Sequence, residues 1–339
     1  MEINLISDTI TKPSIEMLQY MFNAEVGDDV YKQDPTVIEL EDTIAQIFGM
    51  EAGLFFPSGT MANQTALKLH TNPGEQIIAD KYAHVYLYEG GGASFNSGVS
   101  FALLDGDRGM ITAEQVAGAI NDPEFYHSPL TSLVCVENTT NKGGGACYEL
   151  DELKKIKEVC VANNLKFHLD GARIWNALIA KKQDPKAFGR LFDTISVCLS
   201  KGMGAPIGSV LLGDKATIHR ALRIRKILGG GMRQVGYLAA AGLYALDNNI
   251  SRLAEDHRRA KELASVLSTR DWVARVEPVE TNILIFTLKS NYSEKNFIEK
   301  LKQKNISISS MGQGKLRMVT HLDYREVMHT YVLETLARL

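Results

Sequence analysis

From about residue 50 to 245 the chain alternates short apolar segments with helical patterns, and this limits its fold more than any other feature. The segments Ile77–Asp80, Ser100–Leu104, Ser132–Glu137, Lys166–Asp170, Thr194–Leu199 and Ser209–Leu212 read as strands. Stretches such as SLVCVE and GSVLLG are apolar on both faces, as expected of strands covered by helices on both sides. Between strands, Leu150, Leu153, Ile156, Val159 and Cys160 make one stripe of a helix over 150–163. This alternation specifies an α/β domain with a mostly parallel, doubly covered sheet. The last two strands are joined by too short a loop for a crossover, so they form one antiparallel pair within it.

After about residue 247 the texture changes. A long charged helix, SRLAEDHRRAKELASVL, leads to WVARVEP, NILIFTL, a helical segment at 293–304, ISISS, KLRMVTH and a last helix to Leu339. Short strands mixed with helices mark a smaller α+β unit. A chain of 339 residues accommodates about two domains. The expected organisation is an N-terminal arm over 1–30, a large domain over 31–247 and a small C-terminal domain over 248–339.

Composition narrows the partners. A hydrophobic fraction of 45% with 23% charged residues suits a soluble protein with a large core. The net charge of −3, with both signs interspersed, offers no footprint for nucleic acid or a membrane surface. The N-terminus MEINLISDTI lacks the zones of a signal peptide, and no apolar run approaches the ~18 residues of a membrane span. Cys135, Cys147, Cys160 and Cys198 form no CxxC pair. They read as reduced core thiols of a cytoplasmic protein, with neither disulfides nor a metal site expected.

Lys201 lies in SVCLSKGMGAPIGSVLLGD, between two buried strands, where a charge loses water. Other polar residues also fall at strand ends, where parallel α/β sheets bind ligands. Singly, each has an ordinary reading: a solvated loop lysine, a turn at Asp170-Gly171, a helix cap at Ser58-Gly59-Thr60, a packed His84. Together they fit pyridoxal 5′-phosphate (PLP). That cofactor needs a lysine for a Schiff base and an acid at its ring nitrogen, roles open to Lys201 and Asp170. Ser58, Gly59 and Thr60 open a helix whose backbone N–H groups suit a phosphate, and Ser200 offers a further hydroxyl. His84 offers a flat imidazole face, and Arg173 a rigid fork for a carboxylate or phenolic oxygen. A nicotinamide cofactor is not indicated: no GxGxxG follows the first strand, and GGGM at 229–232 lies between helices.

Motifs along nearly the whole chain, in order, resemble the PLP-dependent L-threonine aldolases of the aspartate-aminotransferase superfamily, with their β-eliminating lyase relatives. They include SDTITKPS, AEVGDDVYKQDPT, FFPSGTMANQ, AHVYLYEGGG, HSPLTSLVCVENTTN, HLDGARIWNA, LSKGMGAPIGSVLLG, KILGGGMRQVG and LRMVTH. The resemblance implies PLP fold type I, with a seven-stranded large-domain sheet. It implies that Lys201 holds PLP, Asp170 pairs with the pyridine nitrogen, Arg173 contacts the phenolic oxygen and His84 stacks on the ring. Ser58, Gly59, Thr60 and Ser200 would serve the phosphate, while Ser7, Arg173 and Arg317 would clamp the substrate carboxylate. Tyr31, His127, Lys226 and Arg233 would complete the site, some from a neighbouring subunit of a homotetramer built as a dimer of dimers. His168 lies two residues before Asp170, on the same sheet face, either supporting that acid or simply packed. Ile6 stands where an arginine is common and Thr140 where a histidine is common, and LYEGGG and GASFNSG match loosely. These departures touch the aldehyde side of the site.

The implied reaction cleaves L-threonine or L-allo-threonine to glycine and acetaldehyde. The base for the β-hydroxyl is His84 or His127, directly or through water, since an ordinary value of ~6.5 suits either. Lys201 attacks when neutral, and burial beside the cofactor's cationic ring is expected to bring its pKa down from ~10.4. The alternatives are another PLP enzyme of this fold, a β-eliminating lyase or an aminotransferase, and a non-catalytic PLP-fold binding module. The set Lys201, Asp170, Arg173 and His84 argues against the last.

Overall fold

The computed structural model describes residues 1–339. The chain begins with strand β1 (Ile3–Asn4), α1 (Ile15–Phe22) and α2 (Pro35–Phe48). Strands and helices then alternate: β2 (Ala52–Phe56), α3 (Gly59–His70), β3 (Gln76–Asp80), α4 (His84–Leu87), β4 (Ser100–Leu104), α5 (Ala113–Gly118), β5 (Thr131–Glu137), α6 (Leu150–Ala162) and β6 (Lys166–Gly171). Next come α7 (Ile174–Lys181), α8 (Pro185–Gly189), β7 (Thr194–Cys198), β8 (Ser209–Gly213), α9 (Lys215–Ile227) and α10 (Gly236–Asn248). The remainder is α11 (Leu253–Ser268), β9 (Val273–Val276), β10 (Ile283–Leu288), α12 (Glu294–Lys302), β11 (Ile306–Ser307), β12 (Ser309–Gly312), β13 (Lys315–Val319) and α13 (Glu326–Arg338).

Local chemistry sets many of these boundaries. Asp34 caps α2 with Pro35 at its first position, and Gly49 ends it at φ +64°. Ser58 caps α3 by accepting from the Met61 N–H, and Asp214 caps α9 through Thr217. In α6 the stripe buries Leu153, Ile156 and Cys160.

Seven strands form one sheet in the order β2-β8-β7-β6-β5-β3-β4. The pairs from β4 through β7 are parallel, whereas β8 runs antiparallel to both β7 and β2. The antiparallel pair around Lys201 is therefore present. β2 is absent from the six strands read from the alternation. It carries Gly53 where a Cβ would meet the Glu41 carbonyl at 2.8 Å, and its partner β8 is remote in sequence. Residues of α2, α6, α7, α8 and α10 pack in the core on one sheet face. Ala62, Ala66 and Leu69 of α3, with Ile218 and Ala221 of α9, cover Leu54, Phe56 and Leu211 on the other.

A second, antiparallel sheet has the order β12-β13-β10-β9. Its core joins Leu263 and Leu267 of α11, Phe297 and Leu301 of α12, and Val332 and Leu336 of α13. Ile3 and Leu5 belong to this core, because β1 pairs in parallel with β11. The start of the chain is thus fixed to its C-terminal part. No helix is long and apolar enough to cross a membrane.

Candidate active site

The parallel strands deliver three acidic or polar ends to one edge: in register, Glu137 lies opposite Asp170, and Asp170 opposite Ser196. Beyond β7 the loop carrying Lys201 turns through Gly204 at φ +77° and Gly208 at φ +113°. At Gly208 a Cβ would also meet the Phe55 ring at 2.7 Å. The N-terminus of α3 and the start of α4 face the same edge. Between them opens a cleft of about 350 Å³, lined by Thr9, Ser58, Gly59, Thr60, Asn63, His84, Glu89, Asp170, Ser196, Cys198, Ser200 and Lys201, among others. Of the expected residues, Lys201, Asp170, His84, Ser58, Gly59, Thr60 and Ser200 therefore meet in one place.

Asp170 is buried and fixed: Oδ1 accepts from the Ala172 N–H at 3.0 Å, and Oδ2 from Asn63 Nδ2 at 3.0 Å. His168 reaches it only through that asparagine. Its Nε2 lies 3.2 Å from Asn63 Oδ1 and its Nδ1 2.9 Å from Thr194 Oγ1. Burial pushes its pKa down to about 4, so the ring is neutral. His84 lies 3.0 Å through Nδ1 from Glu89 Oε1, and its backbone N–H donates to Glu137 Oε2 at 3.2 Å. Burial lowers the His84 pKa, but the Glu89 hydrogen bond and the charges of Asp170, Glu89 and Glu137 outweigh it and leave it raised. Glu137, buried and close to Asp170, is itself pushed up to about 7.

Lys201 departs from expectation. Burial lowers its pKa, but the neighbouring Cys198, Asp170 and Asp8 more than offset this, so the net shift is upward. Its Nζ lies 3.5 Å from Cys198 Sγ. The expectation rested on burial beside the cofactor's cationic ring; the protein's own Cys198, Asp170 and Asp8 pull the other way.

The residues fit PLP. α3 is 12 residues long, and Ser58 satisfies only the Met61 N–H. The Gly59 and Thr60 N–H groups are left for an anion. Gly59 leaves the approach clear; a Cβ there would lie 3.3 Å from Ser209 Oγ, a buried hydroxyl without a partner. A lysine, a fixed carboxylate and a half-buried imidazole around this cradle match the aldehyde, pyridinium and ring face of the cofactor.

Two guanidinium groups lie outside the cleft lining, Arg173 next to the lining residue Ala172 and Arg317 within charge range of Arg173. Arg173 makes a bidentate pair with Asp8, at 2.8 and 2.7 Å, and Asn282 Nδ2 adds 3.1 Å to the same carboxylate. Burial raises the Asp8 pKa, but Arg173, Lys201 and Asn282 hold it down to about 2. Arg317 donates to Asn141 Oδ1 at 2.8 Å and to the Ile6 carbonyl at 3.1 Å, beside Ser7. Its Nε is buried without a partner, and burial plus the Arg173 charge lower its pKa. A carboxylate here would relieve the like-charge contact.

Four expected residues are not brought to this cleft by a single chain. His127 is exposed, stacked on Tyr126 at 4.1 Å, and precedes β5, at the sheet edge opposite Lys201. Tyr31 is 70% exposed; Arg233 lies over its ring at 5.8 Å and pairs with Asp28 at 2.9 Å. Lys226 is exposed at the end of α9.

The sequence reading passed over Asp8, Asn63, Glu89 and Glu137. Each sits inside a quoted motif, yet none stands at a position where its type alone announces a role. The usable signal was Asn63-Gln64-Thr65: three polar residues in succession on a helix that must pack on both sides, all buried.

A mostly parallel sheet whose carboxyl edge presents this lysine, acid, imidazole and helix N-terminus defines a PLP-dependent enzyme of fold type I. Comparison with known proteins identifies its family. The model of the beta-eliminating lyase family matches residues 4–291. The low specificity L-threonine aldolase of Escherichia coli (strain K12) is 42% identical over 322 residues, 95% of this chain and 94% of that protein. The probable low-specificity L-threonine aldolase 2 of Arabidopsis thaliana is 38% identical over 337 residues, 98% of this chain and 95% of that one. A solved threonine aldolase from Leishmania major superposes with a TM-score of 0.85 at 22% identity, covering 99% of both chains. The chain belongs to the beta-eliminating lyase family and is a PLP-dependent lyase.

Proposed function

We propose that the protein cleaves L-threonine and L-allo-threonine to glycine and acetaldehyde. The observations that carry this reading are the cleft that holds Lys201 and Asp170, and Arg317 outside its lining, whose buried Nε has no partner and which feels the charge of Arg173, itself within charge range of Lys201. That arrangement suits an α-amino acid held by its carboxylate. The choice of a 3-hydroxy amino acid draws on the relatives named above.

PLP, when bound, supplies an electron sink that takes up the pair of a Cα bond lying perpendicular to its ring. The chain does the rest. Lys201 would hold the cofactor through its side-chain amine. Gly59 and Thr60 N–H groups hold the phosphate, and Asp170 keeps a proton on the ring nitrogen. Arg317, with Ser7, holds the carboxylate, while Arg173 stays paired with Asp8; this sets rotation about Cα so that the Cα–Cβ bond is the one aligned. His84 takes the β-hydroxyl proton through Nε2, directly or across one water. His127, Tyr31, Lys226 and Arg233 act from a neighbouring subunit, in a dimer of dimers. Exposed Tyr31, Phe95, Tyr126 and Ile227 support such contacts. Four free, buried cysteines support a reducing, cytoplasmic setting.

The test is product analysis of the holoenzyme with both L diastereomers of threonine and both D forms. Glycine and acetaldehyde in equal amounts from the L forms are expected. Pyruvate-type keto acid with ammonia, or transfer of the amino group to a keto acid, would replace this reading with elimination or transamination.

A further inference from the structure

Glu89 follows His84 by five residues and has no solvent-exposed side-chain surface. Three donors converge on it. Oε1 lies 3.0 Å from His84 Nδ1 and 2.9 Å from Asn63 Nδ2, and Oε2 lies 2.6 Å from Gln64 Nε2. The orientation of both amides is fixed from behind. Asn63 Oδ1 accepts from Ser196 Oγ at 2.7 Å, and Gln64 Oε1 accepts from Asn96 Nδ2 at 3.2 Å. Each amide therefore turns its NH₂ group toward the Glu89 carboxylate. Oε1 and Oε2 thus each accept from an amide, as a carboxylate does, and a carboxylate can only accept, so His84 Nδ1 supplies the third donor.

We propose that Glu89 is a positioning residue that accepts the Nδ1 proton of His84, fixing the ring and its tautomer so that Nε2 keeps its lone pair for the cleft. Nε2 has no protein partner, and His84 lines the cleft beside Asp170 and Lys201. The three glycines after Glu89 make this return possible. Gly90 and Gly91 stand at φ +63° and +72°, and Gly92 lies so near Gln64 that a Cβ would meet its amide at 2.7 Å. The EGGG stretch thereby folds an acid back under α3. Asn63 bridges Glu89 to Asp170, so the orientation of the imidazole is tied to that of the acid at the ring nitrogen. The charged groups facing His84 are Glu89 from its own loop, Asp170 from β6 and Glu137 from β5. From α3 it meets only the neutral amide side of this network. Of the three acids, Glu89 alone contacts the ring through a side-chain hydrogen bond. The inference rests on the proposed cleavage for its chemical purpose, but not for its geometry.

The experiment uses holoenzyme labelled with nitrogen-15 histidine. The His84 signals are assigned by their loss in His84→Asn, and Glu89→Gln is compared at equal PLP occupancy. Above its pKa, wild-type His84 is expected to carry its proton on Nδ1, with Nε2 unprotonated. In Glu89→Gln, loss of the charge should lower the His84 titration by about one unit, and the acid limb of kcat/KM should move down with it. A weaker, less fixed base should lower kcat about 10²-fold, with KM for threonine little changed. A proton on Nε2 in the wild type overturns the proposal, whether or not the variant folds. So does a Glu89→Gln enzyme whose His84 titration and acid limb stay where they were. If the wild type released no glycine, the proposed function would fail, while the tautomer would still decide the role of Glu89.

Discussion

At the scale of single residues, the site is a set of charges whose balance decides protonation. In the proposed chemistry Lys201 captures the cofactor as a neutral amine, yet Cys198, 3.5 Å away, favours its charged form. Cys198→Ala should therefore lower the Lys201 pKa and raise the rate at which apoenzyme takes up PLP near neutral pH. Stopped-flow absorbance across a pH series checks this; an unmoved profile would mean that the thiol does not influence the amine. Asp8 illustrates the opposite sign. Its pKa falls from 3.8 unfolded to about 2 folded, so its pairing with Arg173 stabilises above about pH 4 and is lost as pH falls toward 2. The difference corresponds to about 2 kcal/mol. Asp8→Asn leaves Arg173 buried without its anion and should cost about 3–5 kcal/mol in urea unfolding at pH 7. A loss below that range would show Arg173 finding another partner. The place of Lys201 and Asp170 in one cleft was legible because both fall at the carboxyl ends of sheet strands, where ligands bind, and because their types together fit one chemistry. Asp8 was not, because its role depends on a partner 165 residues away. Glu89 was not, because its role depends on which way two amides point.

At the scale of elements, α3 does two jobs that a sequence pattern separates poorly. Its first turn offers free N–H groups to an anion, which the Ser-Gly-Thr opening announced. Its next turn buries Asn63 and Gln64 against Asp170 and Glu89, which amphipathic periodicity assigns to solvent. Polar residues buried in a ligand network break the very rule by which helices are read, so the functional half of α3 stayed hidden. Strand β2 was hidden for a different reason. Its place is set by pairing with β8, more than 150 residues later, and no local alternation records that. The parallel strands β5, β6 and β7 were legible because burial on both faces leaves an unbroken apolar run. Ser58→Ala tests the first job of α3. Losing the bond to the Met61 N–H should cost about 1 kcal/mol, lowering the Tm of apoenzyme by about 2 °C. PLP affinity should fall further, since the N–H groups that meet the phosphate lose their anchored turn. Equilibrium dialysis with PLP measures the second effect; wild-type affinity would show that Ser58 has no part in holding the anion.

At the scale of the whole molecule, four of the expected residues stand away from the open cleft of their own chain. His127 stands at the far edge of the sheet, and Tyr31, Lys226 and Arg233 gather on the outer surface around the turn between α9 and α10. That turn lies close to the cleft without entering it: Gly230 passes so near Met61, in the first turn of α3, that a Cβ would meet its sulfur at 2.2 Å. A second copy related by a two-fold axis would bring its own turn to this opening, as the first copy does in return. Arg233 is suited to reach across, since Asp28 holds it at the surface by an exposed pair that contributes little. Two inactive variants, Lys201→Ala and Arg233→Ala, decide the matter when mixed under conditions of subunit exchange. If Arg233 serves its neighbour, each hybrid pair has one site with both residues intact and one with neither. Equal mixing makes half of the pairs hybrid, so activity should recover to about a quarter of wild type. If Arg233 serves its own chain, every site in every pair lacks one of the two residues and activity stays at the level of the parents. Hybrid formation is followed independently by a mass tag on one variant. Hybrids without recovery would assign Arg233 to its own subunit.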